Sequence, residues 1–132
     1  MARLKCKSFR GDLFAGPDLY YEGWSWAPDR DIKVKIIAGT MENTAGMSTV
    51  WAWLSRGSVG MKLPDTPNEE EMILWAVNIR SETTATESPN LSHVVDFGED
   101  YMEVKEGEKL YVNLRGTGPD AGIGISLCIY YV

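Results

Sequence analysis

Hydrophobic and polar residues alternate with a period of two along most of the chain, which is the pattern of strands with one buried face. In the clearest example, Leu110, Val112 and Leu114 alternate with more polar residues. In the C-terminal run, small residues such as Gly124 and Ser126 fill the second face, which predicts close approach by another chain or sheet. The alternation predicts strands over four segments: 31–38, 49–57, 109–115 and 123–132.

The segment 69–80 fits two patterns. Met72, Ala76 and Ile79 fall at helical spacing, and the glutamates before them suit a helix N-terminus. At strand spacing, Val77 and Ile79 align on one face instead. The polar stretch that follows is typical of a strand running into a loop, so we predict a strand.

Turn-forming combinations of Gly, Pro, Asp and Asn separate these short segments. Short strands at such intervals, without a convincing helix, predict an antiparallel β-sandwich or barrel. No internal repeat or linker divides the chain. We therefore expect one domain over residues 1–132, with a basic N-terminal arm at 1–11.

The composition fits a single domain of ordinary size, because the chain has 132 residues, of which 44% are hydrophobic and 24% charged. No stretch approaches the roughly 18 apolar residues of a membrane helix, and the first ten residues lack the apolar core of a secretory signal. We expect no membrane partner and a reducing compartment, with Cys6 and Cys128 as free thiols. The alternative for the two cysteines is a pair or disulfide that ties adjacent terminal strands together.

The charge is unevenly distributed along the chain. Its 13 basic and 19 acidic residues give a net charge of −6, which argues against a nucleic-acid partner. The first ten residues carry four bases and no acid, whereas the rest has nine bases against 19 acids, a local charge of −10. A basic arm on an acidic body suits docking onto an acidic protein surface, including another copy of the chain. The competing interpretation is an ordinary edge strand whose solvated lysines discourage aggregation.

The sequence contains no pattern of catalytic or metal-binding residues. His93 is the only histidine, and neither cysteine has the spacing of a metal ligand. Ser92 and Asp96 lie near His93 but lack the context of a hydrolase triad. Carboxylate pairs such as Glu99 with Asp100 are better explained as solvated surface, because acidic residues are scattered throughout the chain. We expect no enzyme, no metal and no cofactor, with His93 as a structural or surface residue.

Tryptophan is frequent, with five residues in the chain. Trp24 and Trp26 close an aromatic segment that begins with two tyrosines, and Trp51 and Trp53 share one face of a predicted strand. Three interpretations fit such pairs. The rings belong to the core because both faces of the sheet are buried there, or they anchor a protein interface, or they stack on sugar rings.

Residues 100–131 resemble the final strands of jelly-roll domains. A strand, the turn at Glu106 and Gly107, and a second strand over 110–114 precede a last apolar strand. Similar endings occur in trimeric C1q-like modules and in the small capsid decoration (cement) proteins of tailed phages. The size, the acidic balance and the expected lack of an export signal fit the decoration proteins better.

The resemblance implies an all-β, jelly-roll-like β-sandwich without enzymatic activity. It implies a structural protein of the virion, made in the host cytoplasm, that binds the capsid exterior as a homotrimer and bridges subunits of the major capsid protein. The alternative function is a carbohydrate-binding module of the phage fibre or host-recognition type, with Trp51 and Trp53 as the stacking platform. For the capsid function, charge and aromatic content indicate eight partner-binding residues: Arg3, Lys5, Lys7, Arg10, Tyr20, Tyr21, Trp24 and Trp26.

Overall fold

The computed structural model describes residues 3–15, 19–43, 48–56, 73–81, 90–117 and 121–132. Within these ranges no helix is long and apolar enough to cross a membrane. The regular elements there are nine strands: β1 (Lys5–Ala15), β2 (Leu19–Trp26), β3 (Ile32–Asn43), β4 (Ser48–Arg56), β5 (Ile73–Ser81), β6 (Asn90–Asp96), β7 (Met102–Val104), β8 (Leu110–Thr117) and β9 (Ala121–Tyr131).

These strands form two antiparallel sheets. Sheet A has the order β1-β9-β3-β6, and the short β7 pairs with the beginning of β3. Sheet B has the order β2-β8-β4-β5. The first four strands alternate between the sheets, and β1 and β2 each pair with one of the last two strands, which is the strand order of a jelly roll. The prediction of an all-β, antiparallel, jelly-roll-like sandwich is therefore confirmed.

The core is built from side chains that alternate inward along both sheets. In β8, Leu110, Val112 and Leu114 are completely buried, as the period-two pattern predicts. Each buried aliphatic side chain contributes about 1.5–3 kcal/mol through the hydrophobic effect. Other residues of the same core include Ile37, Met41, Leu54, Ile123, Leu127 and Ile129.

The segment predicted to be a strand rather than a helix forms β5. This strand pairs antiparallel with β4 and buries Trp75, Val77 and Ile79 in the core. The preference for a strand is therefore confirmed over 73–80, and residues 69–72 lie outside the described part of the chain.

β1 pairs with β9 along its whole length, from Lys5 opposite Tyr131 to Ala15 opposite Ala121. Because β1 is the first strand in the order of sheet A, it forms one edge of that sheet. Residues 5–11 of the expected basic arm thus belong to an edge strand, which was the second interpretation of this segment. Its inward residue Phe9 is buried, so the segment is part of the sandwich.

A half-buried ion pair fastens the end of β4 to the turn before β8. Arg56 Nε donates to Glu108 Oε1 at 2.9 Å, and Arg56 Nη2 donates to both carboxylate oxygens. The same Nη2 donates to the backbone oxygen of Glu103 at 3.1 Å. In the turn, Gly107 has a φ of +79° and donates its N–H to Pro28 O at 3.0 Å. A positive φ is easily adopted only by glycine, which explains the Gly at this predicted turn.

Candidate functional site

Four cations, Arg3, Lys5, Lys7 and Arg10, surround the edge formed by β1, and we call them the basic edge. Arg3, Lys5 and Arg10 are exposed, and Lys7 is half-buried. Alternation along the strand places Lys5 and Lys7 on the same side as the buried Phe9, and Arg10 on the outer face of sheet A. The basic edge therefore presents positive charge to both sides of one strand.

Aromatic rings pack behind the basic edge where β1, β2 and β9 meet. The ring centroids of Phe9 and Trp24 are 6.1 Å apart, and those of Trp26 and Tyr131 are 5.3 Å apart. Lys7 Nζ lies 5.7 Å from the Phe9 centroid and 6.0 Å from the Trp26 centroid, within reach of cation–π attraction. Trp24 and Trp26 are half-buried and pack against the core. One part of each ring covers the core on this side of the sandwich, and the other part is exposed to solvent.

A groove of about 410 Å³ opens beside these rings. Its walls include Lys7, Trp26, Asp29 and Tyr131. The lining combines an ammonium group, a carboxylate and two aromatic rings, so it can receive a side chain of a partner protein that has both apolar and polar parts. The structure thus brings Lys7 and Trp26, two of the predicted partner-binding residues, to one concave surface.

Tyr20 and Tyr21 lie in β2, opposite Arg115 and Leu114 of β8. Their side chains are outside the described part of the structure. Their predicted role in partner binding stays a prediction.

The other tryptophan pair lies on the outer face of sheet B. Trp53 has an exposed fraction of 0%, and Asn113, opposite it on β8, is also completely buried. Asn113 Nδ2 donates to Ser55 Oγ at 3.0 Å and to Tyr111 O at 3.2 Å. Buried side chains on both faces of β4 fit the interpretation that both faces of the sheet are buried there.

The burial of Trp53 corrects one prediction. Stacking on a sugar needs an exposed ring face, and Trp53 offers none, so the two-indole platform is not available in this structure. Trp51 is half-buried, and the Arg115 guanidinium lies 5.1 Å from the centroid of its ring. Trp51 is the member of the predicted platform that remains a candidate.

A second groove, of about 450 Å³, runs beside Trp51 between β4, β5 and the beginning of β6. Its lining includes Ile73 and Leu91, which are exposed hydrophobic residues, and the polar residues Asn78 and His93. His93 is exposed, and its backbone oxygen accepts a hydrogen bond from Trp75 Nε1 at 3.0 Å. The groove was not predicted, because its walls come from segments that are far apart in the sequence.

The described residues include no group of three or more His, Cys, Asp and Glu side chains that could hold a metal ion. Asp31 and Glu103, for example, lie 3.7 Å and 3.9 Å from Lys105 Nζ in exposed ion pairs.

No protein-family model matches the chain, and no curated protein matches it in sequence. Solved structures resemble it in fold. A structure of infectious bursal disease virus, Gx strain, matches with a TM-score of 0.54 and 8% identity over 98% of this chain and 32% of the viral chain. A VP2 subviral particle of the same virus matches with a TM-score of 0.54 and 7% identity over 97% of this chain and 33% of that one.

Eiger TNF from S. frugiperda matches with a TM-score of 0.56 and 11% identity over 96% of this chain and 91% of that one. The chain thus spans about a third of the length of the viral proteins and nearly all of the TNF chain. At these identities the similarity shows a shared sandwich fold.

Proposed function

We propose that this chain is a non-enzymatic structural protein of a virus particle, which binds the outside of the assembled capsid and bridges subunits of the major capsid protein. The fold supports this proposal, because a viral particle protein contains a similar sandwich within about a third of its length. Since Eiger TNF shares the fold, fold alone does not select the function. The observation that carries the proposal is the basic edge.

The basic edge concentrates four positive charges in an otherwise acidic chain, three of them on the edge strand β1 and the fourth, Arg3, just before it. This uneven distribution of charge attracts the basic edge to a negatively charged protein surface and repels the acidic rest of the chain from that surface. The groove beside Lys7 and Trp26 adds a place for a partner side chain. Together these features supply long-range attraction and a local apolar contact, which are the two parts of a specific interface.

Stabilisation of the capsid would follow from mass action. A protein that binds the assembled shell but not the free subunits stabilises the shell at each site by RT ln(1 + L/Kd), where L is its free concentration. Such a protein is made in the host cytoplasm and ends on the capsid exterior. A homotrimer would present three basic edges to neighbouring subunits, and light scattering on the purified chain would detect it as a mass near three times 14.7 kDa.

The test is co-sedimentation with capsids from a virus that lacks this gene. The charge-reversal variant K5E/R10E should lose binding at least about tenfold, because it removes opposite-charge contacts at the interface. The matched control is R30E/K109E, which makes the same change in net charge at exposed residues outside the basic edge. Wild-type protein that fails to sediment with capsids at any salt concentration would refute the proposal, and equal loss in both variants would remove the basic edge from it.

A second function, binding of a small carbohydrate, is favoured by the groove beside Trp51. One half-buried indole with Asn78, Ser92 and His93 nearby offers a stacking face and hydrogen-bonding groups for hydroxyls. A glycan array that gives a hit abolished by W51A, but retained by W26A, would support this function. An array without hits would remove it.

A further inference from the structure

Two cysteines from opposite ends of the sequence lie next to each other on the outer face of sheet A. In the register of β1 and β9, Cys6 is opposite Tyr130 and Cys128 is opposite Ser8. Residues that are directly opposite share a face, and so do residues two positions apart on one strand. Cys6 and Cys128 are therefore diagonal neighbours on adjacent strands with their side chains on the same side.

Both thiols are free and reachable. Cys6 is exposed and Cys128 is half-buried. Partial burial and, to a smaller extent, the neighbouring Cys128 raise the pKa of Cys6. The proximity of the thiols is the condition for a bond between them, and the accessibility of Cys6 is the condition for attack on an external reagent.

We propose that Cys6 and Cys128 form an oxidation site, at which a low-molecular-weight disulfide converts the pair into an internal disulfide that fastens β1 to β9. The thiolate of Cys6 attacks one sulfur of oxidised glutathione, forming a mixed disulfide and releasing one glutathione thiol. The thiolate of Cys128 then attacks Cys6 Sγ, which forms the protein disulfide and releases the second glutathione thiol. The two protein thiols lose two electrons and two protons, and the one glutathione disulfide gains them.

The position of Cys6 in the fold makes this bond accessible. Diagonal neighbours on antiparallel strands have Cα atoms about 7–8 Å apart, slightly beyond the separation that most disulfides span. Cys6 is the second residue of β1, and β1 is an edge strand. A small shift of this end of β1 along β9 would bring the two sulfurs into bonding range, because the two cysteines are offset by two residues along the strand direction.

The bond would fix the part of β1 that carries Lys5 and Lys7. This consequence rests on the proposed function, since these residues belong to the basic edge: oxidation would lock the capsid-binding strand when a particle leaves the reducing cytoplasm. The oxidation itself is measured on the isolated chain. Failure of capsid binding would therefore leave the redox result intact, and failure of oxidation would leave capsid binding intact.

The experiment incubates the reduced, full-length protein with oxidised glutathione, alkylates the remaining thiols with N-ethylmaleimide and measures the intact mass. Wild-type protein should lose two hydrogen atoms and take up no maleimide. Chymotryptic peptides should contain Cys6 linked to Cys128, and trypsin is unsuitable because Lys5 and Lys7 flank Cys6. The variant C128S should stop at one glutathione adduct on Cys6.

Oxidation should also raise the midpoint of thermal unfolding of the wild type by at least about 5 °C, because the bond closes a loop over most of the chain. The variant C6S/C128S should show no change with oxidant. Glutathione adducts on both cysteines, disulfide-linked dimers or two alkylated thiols in the wild type would each overturn the oxidation site. A cross-link without any rise in the midpoint would overturn the claim that it fastens β1.

Discussion

The indole of Trp75 occupies the space in which any residue other than glycine at position 39 would place its side chain. A Cβ built on Gly39 would lie 2.5 Å from Trp75 Cζ2 and 2.8 Å from Leu127 Cδ1. Gly39 belongs to sheet A and Trp75 to sheet B, so this contact lets the two sheets approach closely on this side of the sandwich. Trp75 Nε1 donates to His93 O, which gives the buried N–H its partner.

The substitution G39A should lower the free energy of unfolding by about 1–3 kcal/mol, because the new methyl group overlaps the indole and forces the packing to shift. Urea denaturation would measure this loss. W75F removes the larger ring and with it part of the overlap, so the loss in G39A/W75F should be smaller than the sum of the two single losses. Additive losses would contradict the steric explanation.

Removal of the carboxylate that binds Arg56 should destabilise the protein more than removal of an exposed carboxylate. E108Q should cost about 0.5–2 kcal/mol in urea denaturation, because Arg56 donates two side-chain groups to Glu108 in a half-buried pair. E103Q is the matched control, since its carboxylate is 64% exposed and 3.9 Å from Lys105 Nζ, and its backbone oxygen still accepts from Arg56. Equal effects of the two variants would show that the bidentate geometry contributes nothing.

The two tryptophans of β4 should differ in their contribution to stability. W53A should cost about 3–5 kcal/mol, because it leaves a cavity where a large side chain is completely buried. W51A should cost no more than about 1.5 kcal/mol, since Trp51 is half-buried and retains solvent contact. Denaturation curves of the two variants would test this order, and a larger loss in W51A would contradict the burial described here.

Alkaline pH should weaken the folded state through the titration of Cys6 and Tyr130. The pKa of Tyr130 is raised by the negative charges of Cys128 and Cys6, and desolvation also raises the pKa of Cys6. A group with a raised pKa binds its proton more tightly in the folded state than in the unfolded state. Its full contribution to the free energy of unfolding is therefore present below the unfolded-state pKa, which is 9.0 for Cys6 and 10.0 for Tyr130. This contribution is lost as the pH rises from that value through the pKa of the folded state.

The absorbance of the phenolate band reports this effect. In C6S/C128S, Tyr130 should ionise at a lower pH than in the wild type, because the thiolates that oppose its charge are gone. The difference between each protein and its Y130F counterpart isolates Tyr130 from the other tyrosines. The same titration curve for Tyr130 with and without the cysteines would contradict the assigned cause.

Much of the fold follows from local alternation. One buried face of a strand explains why hydrophobic and polar residues alternate along it. The structure buries all three hydrophobic residues of this pattern in β8: Leu110, Val112 and Leu114. Alternation cannot show which strands pair, because pairing depends on contacts between distant segments. The pairing of β1 with β9 joins two such distant segments. Because β9 is the only strand of sheet A that pairs with β1 in the described part of the chain, the basic segment forms an edge of the sheet.

The outer face of sheet B shows a second limit of sequence patterns. Polarity predicts that Asn113 faces outward, and it does, but it is completely buried together with Trp53. A buried Asn needs hydrogen-bond partners, and Asn113 Nδ2 donates to Ser55 Oγ and to the backbone oxygens of Trp53 and Tyr111. Periodicity identifies the face of a side chain but not whether other parts of the chain cover that face.

Part of the candidate surface follows from charge and aromatic content alone, and its role in partner binding stays a prediction. Charge clustering identified Lys5, Lys7 and Arg10, and the structure places them along one edge strand. The aromatic residues Trp24 and Trp26 were predicted as partner contacts, and the structure also packs them against the core, because their rings complete the side of the sandwich next to β1. A half-buried tryptophan can serve both roles, because part of its large apolar ring packs in the core while the rest faces solvent.

The position of β9 between β1 and β3 has a consequence for the order of events during synthesis. The two strands that flank β9 leave the ribosome long before residues 121–131 are translated. Until then β1 lacks its partner in sheet A, and β3 can pair only with β6 and β7 on its other edge. Sheet A is therefore completed only after translation of β9, and before that β1 and the β9-facing edge of β3 have unpaired backbone groups. We expect ribosome-stalled chains that lack β9 to be sensitive to proteases and to bind chaperones, whereas chains stalled beyond residue 131 with a long linker fold.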